Sequence, residues 1–422
     1  MDEPVVLRPP GHPISRRDID PDALRIIFRL HHSRFLAYLT GGAVRDLLLR
    51  RPPKDFDIVT DARPGQIKKR FANCYIIGRR FRLAHVHFAE GKTIEVATFR
   101  RMISPGVEET QPAEFDPTQL YGTPGEDALR RDLTINALFY DPVAGTIIDY
   151  VGGLEDMEKR RVRVIGDPGE RFTEDPVRIW RVLRYAARLG FDIDEATASA
   201  IPAHRLLIAG CPGARLYEEL NKDLAGQTGP IFDALWKFGV LRHFLGRAGA
   251  DYEEDAGLFA RMRDLLHIAD QARAAGEEFG QAEMHALLFW PWMEPLFADH
   301  HPDMAKVFND AFIQAGIQAT IPRMVRSEVA HIMSLTVQMR RALKSGRWRL
   351  SLRQRPQYRQ ASRLCFIIDQ DRFPEEGESF DSLLAKAFPQ GPSAGPPRRR
   401  RRRPRGFSGG NPSPTGGTSE TV

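Results

Sequence analysis

The sequence predicts an α+β protein: a small mixed sheet with helices at the amino end, an all-α remainder, and a basic tail with no core. Three observations predict it. Short apolar runs that alternate with period two crowd between Phe35 and Phe99. Beyond Gly153 the apolar period becomes helical and continues to about Leu335. From Pro389 onward Pro, Gly, Ser and Arg dominate, a composition that cannot bury enough apolar surface to fold.

Taken in order, residues 1–34 are a Pro-rich lead followed by a helical pattern around Asp22 to Leu30. Residues 35–152 form the mixed region of about five strands. FLAYLTGG passing into AVRDLLL reads as strand, turn, helix, and DFDIVTD, CYIIG, AHVHF and TIEVATF alternate as strands. The polar stretch between Arg100 and Gly125 has little periodicity, and long loops of that kind inside a domain are often functional. Residues 153–220 begin the helical part. In EDPVRIWRVLRYAARLG, Asp175 is placed to cap, Pro176 to open and Gly190 to stop a helix. Residues 221–336 continue as helices. Residues 337–388 form a basic arm, with nine Lys or Arg and no acid between 338 and 363. Residues 389–422 are expected to be disordered.

Of 422 residues, 42% are apolar and 27% charged, which is ordinary for a soluble globular chain. There is no run of 18 uncharged apolar residues, so no transmembrane helix is expected. Nor does the start carry the apolar segment of a secretory signal. Cys74, Cys211 and Cys365 are odd in number and far apart, which suits neither a disulfide framework nor a zinc site and points to a reducing cytoplasm. The paired histidines, His31 with His32 and His300 with His301, have no helical or strand spacing that would support a metal site. The net charge of +6 resides in the tail beyond Gly391, where seven Arg face one acid, Glu420, so the remainder is neutral. A basic flexible end attracts polyanions without straining the fold.

The chemistry concentrates in GGAVRD (Gly41 to Asp46) and DFD (Asp55 to Asp57). Residues two apart on a strand share a face, so Asp55 and Asp57 are expected side by side with Phe56 behind. Glu95, opposite in facing to Ile94 and Val96, can complete the set from a neighbouring strand. Hard oxygen donors of this kind suit Mg²⁺ shared with substrate phosphates, and paired metals clamp an in-line displacement. Gly41 and Gly42 before a helix let phosphate approach backbone N–H groups, and Arg45 lies one turn further on. The alternative is a plain Gly-Gly turn with a solvated DxD.

These blocks, with RRDLTINAL (Arg130 to Leu138), DYVGG and EDPVRIWRVLRYAARLGF, resemble the class II nucleotidyltransferases, which comprise CCA-adding enzymes and bacterial poly(A) polymerases. The resemblance covers about Leu36 to Leu220. It implies a five-stranded nucleotidyltransferase palm followed by helical neck, body and tail. It assigns Asp55 and Asp57 to the metal and Gly42 and Arg45 to the triphosphate. It places Arg131 and Asp132 at sugar and phosphates with Asn136 nearby, and makes Asp132 essential. Asp175 and Arg178 read the base edge, with Arg181 and Arg184 following, so that a carboxylate acceptor and a guanidinium fork imitate a base-pairing partner.

Within that family three features favour a polymerase that adds AMP from ATP to RNA 3′ ends. The block Cys74 to Phe88, with Arg79, Arg80, Phe81, Arg82 and His85, resembles the polymerases. So does the arm, where Arg347, Arg349 and Arg353 can neutralise phosphates and Trp348 and Tyr358 can stack bases. The third is the tail, including Arg398, Arg399 and Arg400. The implied partners are RNA 3′ ends, ATP and the RNA-degrading machinery. The alternatives are a CCA-adding enzyme that uses CTP and ATP, and a catalytically idle RNA-binding protein. For Trp348 and Tyr358, core packing is the alternative to stacking.

Overall fold

The computed structural model describes residues 3–78, 82–101, 120–298, 301–345 and 350–370. One sheet holds β1 (Val5–Leu7), β2 (Ala37–Thr40), β3 (Asp57–Thr60), β4 (Cys74–Ile77), β5 (Leu83–His87), β6 (Thr93–Thr98), β7 (Phe139–Asp141) and β8 (Thr146–Asp149). Their spatial order is β1-β8-β7-β2-β3-β6-β5-β4, and only the β3–β6 pair is parallel. The five strands read from the sequence are β2, as a short apolar run, and β3 to β6, as alternating segments. The sheet is wider than those five because β1 and the β7–β8 hairpin add to its other edge, and β1 and β7, at three residues each, are too short to show a period.

Alternation divides the sheet into two faces. Ala37, Leu39, Ile58, Val96, Ala84 and Val86 point to the back. Helices α1 (Pro21–His32), α2 (Gly42–Leu48) and α3 (Pro64–Arg70) cover that face. In α1 the buried residues are Ala23, Ile26, Ile27 and Leu30, the i, i+3, i+4, i+7 stripe of a helix with one apolar side. Asp20 starts this helix, its carboxylate accepting from the N–H groups of Asp22 and Ala23, with Pro21 at the first turn. On the front face, Tyr38, Val59, Phe99 and Phe139 pack with Ala128 of α4 (Pro124–Leu129) and with Ile165. The neck is thereby laid over one half of the front face.

After α5 (Gly153–Glu158) the chain is helical. A short parallel pair, β9 (Arg161–Val162) with β10 (Asp192–Ile193), brackets α6 (Pro168–Glu174) and α7 (Val177–Leu189). Then come α8 (Glu195–His204), α9 (Gly213–Leu224), α10 (Thr228–Lys237), α11 (Arg242–Glu254), α12 (Ala256–Ala274), α13 (Gln281–Met293), α14 (Met304–Gln314), α15 (Arg323–Ser345) and α16 (Tyr358–Gln370). One apolar cluster runs from Leu133 through Trp180, Phe232 and Trp290 to Ile367. Neck and body therefore share a core, and the expected boundaries at 220 and 336 fall inside α9 and α15. Within that core Arg184 is buried and pairs with Glu219 and Asp223 of α9, while the Trp180 indole N–H also donates to Asp223. Arg184 is a bracket between α7 and α9, not a member of an exposed base-reading face.

Helix α7 starts one residue later than expected. Pro176 is its N-cap, the Asp175 carboxylate accepts from the Val177 N–H, and Gly190 ends it in the left-handed conformation. Among the described residues no helix is long and apolar enough to cross a membrane.

Candidate active site

Asp57 opens β3, opposite Thr40 of β2, and the β3–β6 register sets Glu95 beside it on the front face. Asp55 lies in the segment just before the strand, so the pair does not share a regular strand as alternation suggested. It is nonetheless near enough to act on Asp57. Burial pushes the Asp57 carboxyl above its ordinary value, the Glu95 and Asp55 charges add to this, and Arg131 opposes it. Carboxylates gathered around Asp57 in this way are donors suited to a hard divalent cation. Among the described residues no three acids, imidazoles or thiols form a ready metal cage. A divalent ion held here therefore takes its other ligands from substrate phosphates and water, as Mg²⁺ does.

Gly41 links β2 to α2 with φ +69°, a conformation costly for any side chain. A Cβ there would lie 3.7 Å from Arg131 Nη1 and 3.9 Å from Asp57 Oδ2, so the bare backbone faces the carboxylate and the guanidinium together. Gly42 is the first residue of α2, where a Cβ would meet Arg45 Nη2 at 3.4 Å.

Arg45, expected at the triphosphate, is drawn into the protein's interior. It is buried at 3% exposure, with Nε and Nη2 on Asp46 and Nη1 on Asn136 Oδ1 at 2.6 Å, and its guanidinium lies over the Tyr185 ring. Nε, Nη1 and Nη2 each bond inside the protein, so Arg45 ties α2 to the Asn136 turn and to α7. Asn136 is likewise buried, and its amide serves Arg45.

The RRD segment hangs on an acid that sequence reasoning passed over. Asp127 is fully buried; Oδ1 accepts from Arg130 Nε and Nη2 at 2.9 and 2.6 Å and from the Arg100 N–H at 3.0 Å. Its Oδ2 accepts from Arg131 Nε and Nη2 at 3.1 and 3.0 Å. Burial alone would raise its carboxyl, but Arg131 and Arg130 overrule that and hold it below the ordinary range. The signal was present: Asp127 stands three and four residues before Arg130 and Arg131, the spacing of facing side chains on a helix. Arg131 also donates Nη1 to the Asn136 carbonyl and lies over Phe139, which fixes it toward Asp57.

Asp132 forms an ion pair with Arg181 of α7 at 2.7 Å, and Asp132 keeps Arg181 firmly charged. Arg171 of α6, also missed in the sequence, is buried and donates Nη2 to the Arg130 and Arg131 carbonyls at 2.8 and 2.7 Å. Its Nη1 reaches Glu174 at 2.9 Å, and the same Glu174 oxygen accepts from Arg178 at 2.8 Å. Arg178 is thus fixed on α6, and Asp175 is held by Arg215 of α9 at 2.6 Å. The two expected base readers stand at the α6–α7 junction, each oriented by a charged neighbour.

Of the expected RNA contacts, Arg82 is exposed at the start of β5 and Arg353 is partly exposed. Tyr358, half-buried at the start of α16, packs against the cluster of Leu335, Met339, Leu352 and Cys365, in line with the core-packing alternative for that part of its ring. Arg79, Arg80, Arg347, Trp348, Arg349, Arg398, Arg399 and Arg400 lie outside the described residues.

Residues 37–163 match a family model described as "Poly A polymerase head domain", and residues 190–248 one described as "Probable RNA and SrmB- binding site of polymerase A". Over 367 residues the chain is 35% identical to poly(A) polymerase I of Escherichia coli O6:H1, covering 83% of this chain and 78% of that one. The chain belongs to the family of poly(A) polymerases and CCA-adding enzymes. It is a nucleotidyltransferase. It is also 38% identical over 205 residues to the CCA-adding enzyme of Bacillus pumilus, covering 49% of this chain and 50% of the relative. Among solved structures, the CCA-adding enzyme of Bacillus stearothermophilus in complex with CTP superposes with a TM-score of 0.57 at 25% identity, covering 89% of this chain and 90% of that one.

Proposed function

We propose that this nucleotidyltransferase is a poly(A) polymerase, adding AMP from ATP to RNA 3′ ends without a template and releasing pyrophosphate. The observation that carries the reading is the span of likeness: 83% of the chain aligns with poly(A) polymerase I of Escherichia coli O6:H1, against 49% with the Bacillus pumilus CCA-adding enzyme.

Mg²⁺, when bound, would supply the positive charge that activates the 3′-hydroxyl and steadies the leaving pyrophosphate, with Asp55 and Asp57 holding it and Glu95 alongside. The chain's own groups do the rest. Arg131, aimed at Asp57 by Asp127, is placed to meet phosphate charge. Asp132, set by Arg181, stands where sugar and phosphate pass. Asp175 and Arg178 offer an acceptor and a forked donor to a base edge, and because Arg215 and Glu174 orient them beforehand, binding orders little that is not already ordered. The exposed Arg82, with the basic arm and tail of the sequence, gives sequence-indifferent attraction to RNA. In a reducing cytoplasm the added tails would give degrading exonucleases a single-stranded foothold.

Asp55→Ala and Asp57→Ala are expected to abolish AMP addition while circular dichroism shows an intact fold. Full activity in both would overturn the reading.

A further inference from the structure

In-line transfer brings two substrates to the carboxylates from opposite sides. On one side stand Arg131, Asp132, Asp175 and Arg178, where the proposed function puts the nucleotide. The opposite side is the half of the sheet's front face where Tyr75 and Ile77 are exposed, and its residues form a row. Tyr75 of β4 pairs with His85 of β5, His85 pairs with Glu95 of β6, and the β3–β6 register sets Glu95 beside Asp57. His85 Nε2 lies 3.4 Å from Glu95 Oε1. His87, two residues on and on the same face, meets the Tyr75 ring edge to face at 5.1 Å, and its Nδ1 is 3.1 Å from the Thr93 hydroxyl. The back of the same strands is packed with Cys74, Ala84, Val86 and Ile94. On the front, Tyr75 is 60% exposed and Ile77 beside it 49%, while His85 and His87 are half-buried.

We propose that this row, Tyr75 and His87 with His85 between them and the carboxylates, is the platform on which the single-stranded 3′-terminal nucleotides of the RNA stack. The inference rests on the poly(A) polymerase reading for its occupant, and three things on the surface fit that occupant. The platform is continuous with the carboxylates that must receive the 3′-hydroxyl. Three strand steps separate Asp57 from Tyr75, roughly 14 Å at the usual strand spacing, which spans a few bases stacked at about 3.4 Å each. Aromatic faces accept any base, as repeated addition to a changing end requires, and the exposed Arg82 at the start of β5 offers a phosphate contact. Edge-to-face contact already restrains the Tyr75 and His87 rings, so little side-chain freedom remains to be lost when a base docks.

The test uses the full-length protein and an oligoadenylate with 2-aminopurine at the second or third position from its 3′ end. Stacking on the platform quenches the probe, a readout that does not depend on which nucleotide is added. Tyr75→Ala with His87→Ala is expected to raise the RNA KM about tenfold, the loss of one base–aromatic stack, and to abolish most of the quench. The ATP KM stays within about twofold of the unaltered protein, since the platform lies away from the nucleotide side. Tyr75→Phe, which keeps the ring, is expected to retain both RNA KM and quench. The melting temperature is unchanged because Tyr75 is a surface residue. An unaltered quench and RNA KM in the double variant would overturn the platform, and so would a Tyr75→Phe protein as impaired as Tyr75→Ala. A protein that quenches the probe but refuses ATP would instead overturn the polymerase reading and leave the platform standing.

Discussion

Replacing Asp127 with Asn tests how the site is held together. The substitution keeps size and shape but exchanges one oxygen for an NH₂ group that faces guanidinium donors. Five N–H groups converge on this buried carboxylate: two from Arg130, two from Arg131 and the Arg100 amide. Removing one partner of a buried charged pair costs about 3–5 kcal/mol, largely because the other charge is left without compensation. Arg130 and Arg131 keep side-chain exposures of 28% and 17%, so water recovers part of their loss and the lower figure, about 3 kcal/mol, applies. At an m-value of about 2 kcal/mol per molar urea, that moves the head's unfolding midpoint down by about 1.5 M. Activity should fall further than stability explains, since Arg131 loses the anchor that aims it at Asp57. At least a tenfold drop in kcat/KM for ATP is expected at temperatures where the variant is folded, or about 1.4 kcal/mol of lost transition-state stabilisation. Glu126→Gln is the control, because its exposed carboxylate only caps the Thr123 N–H and its loss should cost under about 1 kcal/mol. A midpoint within 0.3 M of the unaltered protein (about 0.6 kcal/mol) together with unchanged ATP kinetics would refute the reasoning.

Other expectations follow from the same structure. Arg184→Met should destabilise by about 3 kcal/mol in denaturant, since it leaves Asp223 buried with only the Trp180 N–H and Glu219 with only Lys222; replacing Arg184, Glu219 and Asp223 together with apolar residues should restore much of that loss. His285 is fully buried, donates Nδ1 to the Gln281 carbonyl, and burial lowers its pKa to about 4. Because the unfolded imidazole takes up its proton near pH 6.5, this group's contribution is complete above that pH and declines as pH falls toward 4, by about 3 kcal/mol in all. Melting temperature against pH should show that slope, and His285→Gln should flatten it. Gly41→Ala should cost up to about 3 kcal/mol through its backbone, φ +69° with ψ −138°, and not through a clash, since the new Cβ meets nothing closer than 3.7 Å.

Much of this was legible in the chain because local periods survive folding. Strands β3 to β6 lie in segments that alternate over five or more residues, β2 is an apolar run and α1 carries a full apolar stripe, whereas Val5–Leu7 and Phe139–Asp141 are too short to declare a period. The site was legible where chemistry demands a residue type, as at Asp57, Glu95 and Gly41. It was less so where a charged residue could face either way. Sequence spacing could not tell that Arg45 and Arg184 spend their donors on Asp46, Asn136, Glu219 and Asp223, because those partners are brought up by other elements. Asp127 and Arg171 went unread for the complementary reason: they touch no substrate position and matter through the arginines and carbonyls they hold. Tyr358 shows the same ambiguity for an aromatic, which suits a stacking face and a core equally, and in the fold it is half-buried against the cluster between α15 and α16.

The most direct measurement is an extension assay on a labelled, unstructured RNA oligonucleotide with each nucleoside triphosphate supplied alone in Mg²⁺. The account predicts long ladders with ATP, little product with CTP, and none from Asp57→Ala. Products confined to a tRNA lacking its terminal CCA, formed with CTP and then ATP, would contradict it and identify the chain as a CCA-adding enzyme.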